Sequence, residues 1–245
     1  MFKRAAMEKH VFGSTIEIED KNWWYRSRRN LLGMLIKKHA PENIEKSLDI
    51  GCGVGSNFSL LRGEAYGLDI DQEALAFCKT KGYDYLVYGD IAHNNFQDNF
   101  FDLILCSEVL EHIFDDRSAV KEVKRILKPG GVAILTVPAF SILWHDNDII
   151  GNHHRRYRKK QFAGLIEKEG LKIERISYWN FFFFLPALLV VLFSRLADKK
   201  DKKDLKLNMG PRFMDYFTEL SFWENKLFLR VNWPFGTSIV AVVRK

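Results

Sequence analysis

Seven residues, Asp49-Ile50-Gly51-Cys52-Gly53-Val54-Gly55, constrain this chain more than any other stretch. They follow a short apolar strand that ends at Leu48–Ile50. Glycines in that place let the backbone turn tightly and approach a ligand with no Cβ in the way. A helix starting there offers free N–H groups and partial positive charge. The spacing is G-x-G-x-G. A dinucleotide site would place its third small residue at position 56, where this chain has Ser56. A plain strand-to-helix turn would use the same glycines, so the surrounding pattern has to decide.

That pattern is an alternation. Hydrophobic periodicity predicts an amphipathic helix within 22–40, a helix at Ser56–Leu61, a strand at Ala65–Ile70 and a helix at Gln72–Lys81. Strands follow at Tyr85–Tyr88 and Phe101–Cys106. Asp115 and Asp116 are helix N-cap candidates, and Val120, Val123, Ile126 and Leu127 then repeat on one helical face. Lys128-Pro129-Gly130-Gly131 stops that helix before a continuous apolar strand, Val132–Val137, of the kind buried on both faces. A helix at 159–169 and strands at 171–178 and Thr237–Val243 complete the series. Such alternation predicts a mostly parallel α/β sheet with helices on both faces. Two stretches break it: the His-, Asp- and Arg-rich connection 138–158, and residues 180–235.

Acidic residues close the strands that follow the glycine turn. Asp69, in Gly67-Leu68-Asp69-Ile70-Asp71, stands where a carboxylate can accept from both hydroxyls of a ribose. Gly89-Asp90-Ile91 offers a carboxylate to an adenine amino group and an apolar side chain to its ring. All these residues lie at carboxyl ends of predicted parallel strands, where open α/β sheets bind ligands.

With LDIGCGVG (48–55), GLDID (67–71), GDI (89–91), FDLILCSEVLEHI (101–113) and LKPGGVAILTVP (127–138) in this order, the sequence resembles the class I S-adenosylmethionine (SAM) dependent methyltransferases. The resemblance implies a Rossmann-like, seven-stranded, mostly parallel sheet with the last strand antiparallel, and SAM as cofactor. It implies Asp49, Gly51 and Gly53 on the methionine side, Asp69 at the ribose, and Asp90 with Ile91 at the adenine, with Ile70 also among the cofactor-binding residues. The backbone near Cys106 would meet the methionine amino group. Glu108, Glu111 and His112 are read as the start of a helix. In similar enzymes a segment before the first strand covers the cofactor. Among the arginines of Trp23-Trp24-Tyr25-Arg26-Ser27-Arg28-Arg29, Arg28 is the choice to pair with the SAM carboxylate, although a solvated basic face explains the same residues.

Residues 143–157 follow the fifth strand and so should lie over the reactive methyl group. They resemble a motif of bacterial type 11 methyltransferases, matched here by Asp148, His153, Arg155, Arg156 and Tyr157. His153 is the expected general base, with Asp148 and Tyr157 as catalytic partners. Arg155, Arg156 and His145 are expected to hold an anionic acceptor. The His and Asp residues are not read as a metal site.

Residues 181–193, FFFFLPALLVVLF, form an uncharged run. As a helix it reaches roughly 20 Å, short of a hydrocarbon core of about 30 Å. Beside it ADKKDKKDLK (197–206) suits a bilayer boundary, and the formal net charge of +6 suits an anionic partner. The expectation is peripheral membrane contact and an amphipathic or lipid-linked acceptor methylated on a hydroxyl or acid group. A soluble methyltransferase of a small metabolite, with 181–193 as a buried cap, is the alternative; a SAM-binding protein without catalysis is another. The segment after strand four carries no N-P-P-Y type tetrapeptide, which argues against nucleic-acid base methylation. The first residues, MFKRAAMEKH, lack the apolar core of a secretory signal. Three cysteines without a C-x-x-C pair fit a reducing compartment, so a cytoplasmic enzyme at the inner face of the membrane is expected. One domain is read throughout: an N-terminal cover (1–45), a SAM-binding core (46–178), a hydrophobic helical insertion (179–235) and a final strand (236–245).

Overall fold

A computed structural model of the chain describes residue 19, residues 21–196 and residues 211–245. The lysine-rich stretch 197–206, expected to face anionic lipid, lies outside the described residues, as do residues 1–18 of the N-terminal cover.

Seven strands form one sheet: β1 (Lys46–Ile50), β2 (Glu64–Asp69), β3 (Tyr85–Tyr88), β4 (Phe101–Ser107), β5 (Leu127–Pro138), β6 (Lys172–Trp179) and β7 (Ser238–Arg244). Their order is β3-β2-β1-β4-β5-β7-β6. The first five run parallel, and β7 lies antiparallel between β5 and β6. The order reverses between β1 and β4, and the carboxyl ends of these neighbours diverge into opposite connections. A crevice opens there, as in other open α/β sheets.

Period-two alternation sorts the buried side chains onto two faces. On β5, Ala133, Leu135 and Val137 join one apolar cluster, while Val132 and Ile134 join the other. On β7, Ile239, Ala241 and Val243 take the first face, and Val240 and Val242 the second. The first face is covered by helix α3 (Asp116–Ile126), through Val120, Val123 and Ile126, and by helix α5 (Lys159–Lys168), through Phe162 and Ile166. The second is covered by helix α1 (Trp23–His39), which buries Leu31, Leu32, Leu35 and Ile36. Each such side chain contributes about 1.5–3 kcal/mol on burial. Helix α2 (Gln72–Thr80) connects β2 to β3, its start held by Asp71, whose carboxylate accepts from the Glu73 and Ala74 N–H groups.

Three local expectations need correction. The helix expected at Ser56–Leu61 is only a 3-10 turn, Phe58–Leu60, because Phe58 turns inward to stack on Tyr83 at 4.1 Å. The Lys-Pro-Gly-Gly stretch does not precede strand β5 but belongs to it. Phe101 pairs with Leu127 and Leu103 with Val132, so the extra residues are absorbed as an irregularity in the ladder. The hydrophobic helical insertion expected over 179–235 also does not pack as one unit. Helix α6 (Phe184–Leu196) packs against the connection after β5, but helix α7 (Pro211–Phe228) packs against α1 on the second face. Asn225 joins α7 to α1: its Nδ2 donates to the Ser27 carbonyl at 2.9 Å, and its Oδ1 accepts from Trp179 Nε1 at 2.8 Å.

Candidate functional site

The crevice contains a cavity of about 320 Å³, lined by Gly51, Asp69, Ile70, Asp90, Ile91, Val109, His112, Phe114 and His154 among others. Gly51 has φ +69°, and a Cβ there would stand 2.4 Å from Val109 Cγ2. The left-handed backbone and the close approach both demand glycine. Gly53 also has a positive φ, +50°, and its N–H donates to Asp69 Oδ2 at 2.8 Å. The other oxygen of Asp69 accepts from Asp71 N–H at 2.9 Å. Two backbone donors therefore orient this carboxylate, and each oxygen keeps acceptor capacity toward the cavity. Asp90 is fixed in the same way by the Ala92 N–H at 2.9 Å. Ile91 is buried beneath it, while Ile70 stands exposed on the wall.

Behind the glycine turn, Asp49 is 1% exposed and accepts from Asn57 Nδ2 at 3.2 Å. Burial pushes its carboxyl up to about 7, against the opposing pull of Asn57 and of Arg28. Arg28 lies over the rings of Trp24 and Tyr25, 4.7 and 5.2 Å from their centroids, and its buried Nε has no hydrogen-bond partner. Arg26, by contrast, turns away to Asp215 at 3.6 Å. Cys106 is fully buried within the first apolar cluster, so only its backbone is available to a ligand. All three cysteines are free and buried.

The connection after β5 folds back over this crevice. Helix α4 (Asp146–Ile150) places Asp148 at its first turn, fully buried. Arg156 grips both oxygens of Asp148, from Nε at 2.7 Å and Nη2 at 3.0 Å, and its Nη1 donates to the Ala139 carbonyl at 3.1 Å. His153 Nδ1 lies 2.9 Å from Asp148 Oδ1, and His145 Nδ1 lies 3.0 Å from Oδ2. These partners hold the Asp148 carboxyl far below the usual carboxylate range despite its burial. An ionised Asp148 keeps the proton of His153 on Nδ1 and leaves Nε2 as the basic nitrogen. The ring of His153 meets that of His112 edge-on at 4.6 Å, and His154 N–H donates to the Glu111 carbonyl at 2.8 Å. The post-β5 connection is thereby tied to the turn after β4.

Several expected roles change on this geometry. Arg156 spends every guanidinium nitrogen inside the protein, with 9% of its side chain exposed, and has no edge left for an acceptor. Tyr157 is 1% exposed; its hydroxyl donates to Asp116 at 2.8 Å, and burial beside that carboxylate pushes its pKa up. It braces the connection and is no proton donor to the cavity. His145 caps α4 and is absent from the cavity wall. Arg155 donates to Asp116 at 2.8 Å and to the Phe114 carbonyl at 2.7 Å, keeping a quarter of its side chain exposed. Like His145 it is absent from the cavity wall, but it bonds to Phe114, which lines that wall. The sequence reading passed over His112, Phe114 and His154, which line the cavity. Their signal was position, directly after strand four and within the post-β5 connection.

A family model described as Methyltransferase domain matches residues 48–135. An uncharacterized protein of Methanocaldococcus jannaschii is 31% identical over 182 residues, covering 72% of this chain and 77% of that protein. The chain belongs to the class I SAM-dependent methyltransferases. A demethylmenaquinone methyltransferase of Staphylococcus aureus is 32% identical over 160 residues, 59% of this methyltransferase and 64%, under two thirds, of that enzyme. The crystal structure of a SAM-dependent methyltransferase from Archaeoglobus fulgidus superimposes with a TM-score of 0.56 at 18% identity, covering 89% of this chain and 94% of that one. The groups present suit SAM: an unpartnered buried arginine nitrogen for a carboxylate, a glycine turn that a Cβ would block, and two backbone-oriented carboxylates beside an apolar wall. When bound, SAM supplies a methyl group on a positively charged sulfur.

Proposed function

We propose that this methyltransferase acts on a hydroxyl or acid group of an amphipathic or lipid-linked acceptor. The observation that carries the reading is the outward face of α6. Leu185, Leu189, Phe193 and Leu196 are 58%, 53%, 61% and 83% exposed. The same helix packs on the connection after β5: Phe184 meets Phe140 at 5.5 Å, and Arg195 donates to the Ile142 and Trp144 carbonyls, both at 3.0 Å. An apolar surface so placed suits the tail of an acceptor whose polar end enters the crevice, or shallow contact with a bilayer. Among the described residues no helix is long and apolar enough to cross a membrane. The name of the Staphylococcus aureus relative makes a quinone-like acceptor the first to try.

In this reading Arg28 takes the SAM carboxylate, Asp49, Gly51 and Gly53 line the methionine side, Asp69 with Ile70 holds the ribose, and Asp90 with Ile91 holds the adenine. His153, oriented by Asp148, takes the acceptor proton at Nε2, and Arg155 meets the acceptor's anionic part. Since the sulfonium is already electrophilic, alignment and exclusion of water by the post-β5 connection supply much of the rate. Purified protein incubated with methyl-labelled SAM and total lipid extract should put label into a solvent-extractable product found by mass spectrometry. Label confined to water-soluble metabolites would overturn the lipid reading and favour the small-metabolite alternative.

A further inference from the structure

Glu111 stands in the turn after β4, beside His112. It is fully buried, and neither carboxylate oxygen accepts a hydrogen bond from a neighbouring residue. Sealing a carboxylate from water without donors costs several kcal/mol unless something compensates it. Two imidazoles face it: His112, whose Nε2 is 3.9 Å from Glu111 Oε1, and His153. One donor atom from each of the three lies within 4.8 Å of the others.

We propose that Glu111, His112 and His153 bind a divalent first-row transition cation on the wall of the cofactor cavity. Two imidazoles and one carboxylate form a donor set suited to such ions and leave coordination positions open. The surroundings have the form expected around a ligand histidine. Asp148 holds His153 Nδ1 at 2.9 Å and so presents Nε2 to the site, and Arg156 fixes Asp148 in turn. The His154 N–H bond to the Glu111 carbonyl, at 2.8 Å, locks the two ligand-bearing turns together. His112 belongs to the cavity lining, so the open positions face the crevice. The cation's use there rests on the oxygen-acceptor reading: bound to the acceptor oxygen, it would lower that group's pKa so that the proton leaves to solvent water, and His153 would then serve as a ligand and not as the base. Its binding does not depend on that reading.

The test measures binding with neither SAM nor acceptor present, so it fails or succeeds apart from the acceptor assignment. Tag-free protein is stripped with chelator and titrated with Zn²⁺ by calorimetry and with Mn²⁺ by loss of the free-ion paramagnetic resonance signal. The parent should bind one equivalent of at least one of these ions. Glu111→Gln and His112→Ala should each weaken that binding at least tenfold. The His112 side chain is 40% exposed, so its removal leaves the core intact, and circular dichroism checks both variants. Absence of stoichiometric binding of either ion by the parent would overturn the proposal. So would equal binding by the parent and the folded His112→Ala variant.

Discussion

Replacing Asp49 by Asn removes a charge that the fold holds at a loss. The carboxyl is 1% exposed and burial raises it from 3.8 to about 7. Each tenfold change in proton affinity is worth about 1.4 kcal/mol, so keeping Asp49 ionised above pH 7 costs the folded state about 4 kcal/mol relative to its neutral form. The folded pKa is the higher one, so the folded state binds the extra proton between pH 3.8 and about 7. The stabilisation from this group is therefore complete below pH 3.8 and lost as pH rises through about 7. An Asn at this position stays neutral. Its new amide N–H₂ also faces Asn57, whose buried Oδ1 has no donor. With SAM absent, Asp49→Asn should be more stable than the parent by about 2–4 kcal/mol at pH 8.5. For a chain of this size that corresponds to a rise in Tm of roughly 5–10 °C. By pH 5 the advantage should shrink by about 3 kcal/mol, because the parent has then taken up its proton. Thermal melts of both proteins across pH 5–8.5 read this difference directly. Parallel Tm–pH curves would refute the argument, since they would mean that Asp49 titrates alike in the folded and unfolded states.

Asp69→Ala should weaken SAM binding by about 1–3 kcal/mol in calorimetry, with circular dichroism confirming the fold, because a cavity-facing acceptor is lost; unchanged affinity would remove Asp69 from the site. Asp148→Ala leaves Arg156 buried and unpaired, so it should destabilise the protein by about 3–5 kcal/mol in denaturant melts at pH 7. The Asp148 pKa is depressed in the fold, so the parent's advantage is present at neutral pH and should fade only in strong acid. Tyr157→Phe should cost about 1 kcal/mol of stability and leave the pH–rate profile unmoved, and a displaced profile would restore a catalytic role to the hydroxyl. Leu189→Asp with Phe193→Asp should abolish cosedimentation with anionic liposomes at low salt; these two residues are exposed, whereas Phe183 stacks on Trp23 at 4.2 Å and Phe184 packs on Phe140.

The strands and the glycine turn at the crevice were legible in the sequence because their signals are local. Apolar runs such as Val132–Val137 and Ser238–Arg244 can be buried only in a sheet interior, and a glycine turn after a strand is the same object wherever it occurs. The length of β5 was misread because Pro129 and the glycines signal a stop, and pairing to β4 overrode that signal. The packing of helix α7 was not legible for a related reason. Its buried face carries Glu224 and Asn225, whose partners lie next to β6 and in α1 and cannot be seen by reading along the chain, beside Thr218 and Ser221, whose hydroxyls bond back to their own helix.

The ordered series of glycine and acidic motifs at strand ends, by itself, determined a class I SAM-dependent methyltransferase and the end of the sheet at which those motifs gather. Only the tertiary structure decided which of the polar residues beyond β4 and β5 face that site. Arg155 and Arg156 are neighbours in sequence, yet one stays partly open and the other is spent on a buried carboxylate. Glu111 and His112 follow β4 and His153 follows β5, and they meet because β4 and β5 pair in register. Local sequence encodes the direction of a strand and the face of a helix. The meeting of two loops follows from how the whole sheet aligns the strands that carry them.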